Sequence, residues 1–197
     1  MERVSDVFAF GLSNPDLWSG LLFHDRDADG EIRGITDAEW PALAAARPHL
    51  DESIRAYLRA VHEALHGRSA RSQAKAFRRI ASARHHPKGD APWLRSEVPL
   101  VGWACSTSFG LADDLGDGVR PFLNLWTKLQ HHGVLREAAD RCCPPKGVER
   151  RDEGQVVIWY FAVPKEDESF KDIAENVVTT VWPAVEHLCR KLQKTVE

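Results

Sequence analysis

The sequence predicts an α+β protein: a helix-rich N-terminal lobe carrying a β-hairpin, then a small antiparallel or mixed sheet in the order β-β-α-β-α, packed on a long C-terminal helix. Three observations carry that prediction. Gln155 to Val163 is an unbroken Val-Val-Ile-Trp-Tyr-Phe-Ala-Val run after its first residue, which reads as a strand wanting burial on both faces. Ser169 to Lys194 places Ile173, Val177, Val181, Val185, Leu188 and Leu192 on one side of a helix. Ile54, Leu58, Val61 and Leu65 form a second stripe of the same kind nearer the N-terminus.

In chain order, residues 2–12 are too short and too mixed for periodicity to separate helix from strand. Leu21 to Ile35 reads as a β-hairpin, since an apolar run and an Ile/Arg/Ile alternation flank a turn closing on Asp29-Gly30. Thr36-Asp37-Ala38-Glu39 has the form of a capping box, predicting a helix from there to about Pro48. A second helix starts at Asp51 or Ser53, and Gly67 ends or bends it. Residues 71–84 continue helical, and His85 to Pro92, with two prolines and a glycine, is a loop.

That loop divides a lobe of residues 1–95 from one of 96–197, and the chain is also short enough to form one compact domain. Val98 to Phe109 and Val119 to Leu129 are expected to pair as antiparallel strands across an acidic, Gly-rich turn. Gly133 to Cys143 is expected as a short helix stopped by Pro144-Pro145, and Pro183 should kink the final helix. Trp103, Trp126, Trp159 and Trp182 are candidate core residues.

With 43% hydrophobic and 28% charged residues, the composition is that of a folded globular chain rather than a disordered one. No apolar run reaches the ~18 residues of a membrane helix, and the N-terminus lacks the layout of a secretory signal. Four cysteines in a chain of this size make no disulfide framework, so a reducing, cytoplasmic setting is expected. Arg outnumbers Lys 18 to 8, a bias that points to a GC-rich bacterial source.

Charge distribution is the clearest functional signal. Between residues 54 and 95 ten basic side chains face two acidic ones, a local charge of +8, in a protein whose net charge is −3. Arg68, Arg71, Lys75, Arg78, Arg79, Arg84 and Lys88 are the candidate binding residues, because Lys and Arg gathered on a helix suit a phosphate backbone or an acidic protein. The competing reading pairs them within the protein: residues 1–53 hold eleven acidic side chains against four basic.

Other motifs are incomplete. Asp25, Asp27, Asp29 and Gly30 match the opening of a calcium loop, with Glu31 as a further carboxylate, yet the twelfth position is Thr36 where a bidentate Glu is needed. An Asp-rich turn explains the same letters. His131-His132 and Cys142-Cys143 lack zinc-site spacing. Cys105-Ser106-Thr107-Ser108 has no elbow glycines and no evident base.

Two function classes follow. One is a non-enzymatic binding or regulatory protein whose basic stretch contacts nucleic acid or an acidic partner, with no cofactor. The other is a metal-dependent enzyme acting on phosphodiesters, with a divalent cation held by residues 25–31 and by Asp113, Asp114 and Asp117. The second requires those two acidic segments to converge beside the basic face.

Overall fold

The computed structural model describes residues 40–71, 95–101, 104–112, 120–165 and 168–196. The expected hairpin at 21–35, the capping box at Thr36, the loop at 85–92, Trp103 and the acidic turn 113–117 lie outside those residues.

Helix α1 spans Trp40–Arg71. Strands β1 (Arg95–Leu100), β2 (Cys105–Ala112) and β3 (Arg120–Thr127) follow, then a 3₁₀ turn at Leu129–His131 and helix α2 (His132–Ala139). Strands β4 (Glu149–Glu153) and β5 (Val156–Tyr160) form a hairpin before helix α3 (Phe170–Val196) closes the order. All neighbouring strands are antiparallel, in the spatial order β1-β2-β3-β5-β4. The protein is therefore α+β with a long C-terminal helix, and its sheet is wholly antiparallel.

Several boundaries differ from the sequence expectations. The two helices read on either side of Pro48 are one, since α1 runs through both Pro48 and Gly67. Pro48 removes one backbone donor and Gly67 costs about 1 kcal/mol relative to Ala. The buried stripe that follows Pro48 and precedes Gly67 offsets those local costs. Ile54, Leu58, Val61 and Leu65 are all buried, as expected, and Tyr57 joins them.

The single strand read from Val98 to Phe109 is two, β1 and β2. Between them Val101 has a φ of 43°, and the Ala104 N–H donates to the Val101 carbonyl at 3.1 Å, so the chain reverses. Strand β4, with the sequence Glu-Arg-Arg-Asp-Glu, has no apolar residue and was not anticipated. Its hairpin turns at Gly154, whose φ of 60° and place after Glu153 fit a tight turn that opens on glycine. After α1 the element order is consequently β-β-β-α-β-β-α.

Alternation along the strands sorts side chains to two faces. Val98, Leu100, Phe109, Leu123, Leu125, Val157 and Trp159 are buried together with the α1 stripe and with Ile173, Val177, Val181, Val185, Leu188 and Leu192 of α3. Helices and sheet thus share one core, with the long helix lying along the sheet as expected. Ser169 caps α3: its Oγ accepts the Asp172 N–H at 3.1 Å and lies 2.6 Å from Asp172 Oδ2. Pro183 sits inside the helix. Trp159 is fully enclosed, whereas Trp126 and Trp182 are half-buried.

Candidate functional site

The helical period that buries the apolar stripe of α1 also decides which cations it shows outward. Arg55, Arg59 and Arg71 are exposed, on the same helix as exposed Glu52, Glu63 and His66. Arg55 and Arg59 stand about 6 Å apart along the axis, at 1.5 Å per residue. These two arginines fall within the basic stretch, and their exposure sharpens a reading that the sequence placed mainly on residues 68–88.

Arg68 behaves differently. Its Nη2 donates to Thr179 Oγ1 of α3 at 2.6 Å and lies 3.9 Å from the Glu175 carboxylate. Its side chain is 32% exposed. This guanidinium ties α1 to α3, so it is paired within the protein, though with α3 and not with the acidic residues 1–53 that the sequence offered as partners. Of the seven candidate binding residues, Arg68 and Arg71 are described, and only Arg71 points outward. Lys75, Arg78, Arg79, Arg84 and Lys88 lie outside the described residues, as do Asp25, Asp27, Asp29 and Glu31.

The sheet face away from the core carries a second group. Ser106 Oγ donates to Glu97 Oε1 at 2.8 Å, and the Ser108 N–H donates to Asn124 Oδ1 at 3.0 Å. Cross-strand register sets half-buried Trp126 beside Ser106 and Phe122 beside Tyr160. Phe122, Tyr160 and Ile158 form a cluster of their own, with the Arg151 guanidinium 5.5 Å from the Tyr160 ring centre. Alternation makes the sequence Cys105-Ser106-Thr107-Ser108 two pairs on opposite faces. Cys105 and Thr107 belong to the core face, so the four side chains do not act as one nucleophilic group. The partnership of Ser106 with Glu97 escaped the sequence reading because the β1–β2 reversal was not anticipated.

Between α2 and α3, Glu137 Oε1 lies 2.9 Å from His187 Nε2, 3.5 Å from Lys191 Nζ and 3.8 Å from Arg141 Nη2. The His187 contact is an ion-pair approach without a well-aligned hydrogen bond. Desolvation alone would raise the Glu137 carboxyl, but the charges of Lys191 and His187 outweigh it and hold the group below its ordinary value.

The four cysteines are free thiols, and Cys143 is the exposed one. The Cys189 thiol is pushed up by its hydrogen bond with Cys105 and by burial, and burial pushes Cys142 up as well. Thiols held protonated in this way are poor nucleophiles and poor ligands. Cys142 is buried whereas its neighbour Cys143 is exposed. Among the described residues no group of three or more His, Cys, Asp or Glu side chains is placed to hold a metal ion. Likewise, none of their helices is long and apolar enough to cross a membrane.

Comparison of the chain with protein-family models, curated proteins and solved structures finds no match, so the functional reading rests on its own residues.

Proposed function

We propose that the protein is a non-enzymatic binding module that engages a nucleic acid through its basic stretch of residues 54–95. The observation that carries this reading is the division of labour on α1: apolar side chains are buried, Arg68 is committed to α3, and Arg55, Arg59 and Arg71 are exposed. Arginine presents a planar fork suited to phosphate oxygens, and each phosphate neutralised releases condensed counterions. Free thiols throughout the chain fit a reducing, cytoplasmic setting.

Fluorescence anisotropy with labelled single- and double-stranded oligonucleotides tests the proposal. Binding is expected at about 50 mM salt and should weaken as salt rises, with a log–log slope of about −2.7 on duplex and about −2.1 on single strands if the three arginines each contact one phosphate. The triple substitution R55A/R59A/R71A should lower affinity at least ~10-fold and flatten the slope. Arg68→Met, by contrast, should reduce stability while leaving affinity near that of the unsubstituted protein. No binding to any oligonucleotide at about 50 mM salt would overturn the proposal, and an acidic protein surface would then be the partner to test.

A further inference from the structure

We draw no further inference here: the strongest candidate, the polar cluster of Glu97, Ser106, Ser108 and Asn124 on the sheet face away from the helices, carries nothing because no described element shows what covers that face.

Discussion

Among the described residues Trp159 is the largest side chain wholly enclosed in the core, set on the sheet where β5 meets β3. Truncation to Ala removes most of that volume and leaves a cavity that packed neighbours fill only in part. Trp159→Ala should therefore cost about 3–5 kcal/mol in urea unfolding, and a near-neutral result would contradict the enclosed position. Tyr57, like Trp159 with its indole N–H, is enclosed with a polar atom unpartnered among the described residues. Its ring is fully buried, 6.2 Å from that of Phe170, and its hydroxyl has no hydrogen-bond partner among the described residues. Burial pushes the phenol well above its ordinary value, so the hydroxyl stays protonated. An unpaired buried hydroxyl is a net cost, so Tyr57→Phe should stabilise the protein by about 1 kcal/mol. A loss of stability on that substitution would show that the hydroxyl has a partner.

Among the elements, α3 depends on its first turn and on α2. Ser169 is the cap, and Ser169→Ala should cost about 1 kcal/mol, read as a lower midpoint in denaturant. Glu137 joins the two helices through a pH-dependent contact. A carboxyl held below its ordinary 4.5 contributes stability that is present above that value and is lost as pH falls through the lower folded value. The gap in denaturation midpoint between the unsubstituted protein and Glu137→Gln should accordingly be open above 4.5 and close as pH falls well below that value. A gap that is constant with pH would mean that the Glu137 charge is not the stabilising feature.

For the molecule as a whole, sequence pattern revealed what burial controls. Both helical stripes were legible because a helix that packs on one side must repeat its apolar residues at that period. The α+β class followed from them and from the run at 155–163. What escaped was decided elsewhere. Strand β4 is held by backbone pairing to β5 and by charge, with Arg150 bonded to both Asp152 and Asp140 at 2.8 Å, and apolar pattern has no access to that. The sequence mark of the β1–β2 reversal is Gly102 inside a β-branched and aromatic run, and β-branched Val101 before it takes a left-handed backbone that its residue type does not announce. Of the basic surface, composition revealed the excess of charge. It took the packing of α1 on α3 to separate Arg68, spent between helices, from Arg55, Arg59 and Arg71, which face outward.

The outermost strands of the described sheet, β1 and β4, are built unlike its interior ones. One carries Pro99, which has no N–H to offer a newcomer, and the other is charged at every position. A stray strand from another copy would have to surrender a backbone bond at the first or bury charge against charge at the second. Lateral growth of the described sheet into aggregates is thereby discouraged at both of its margins. Pro99→Val would restore a donor and a strong strand former, and light scattering on gentle warming should show aggregation at a lower temperature.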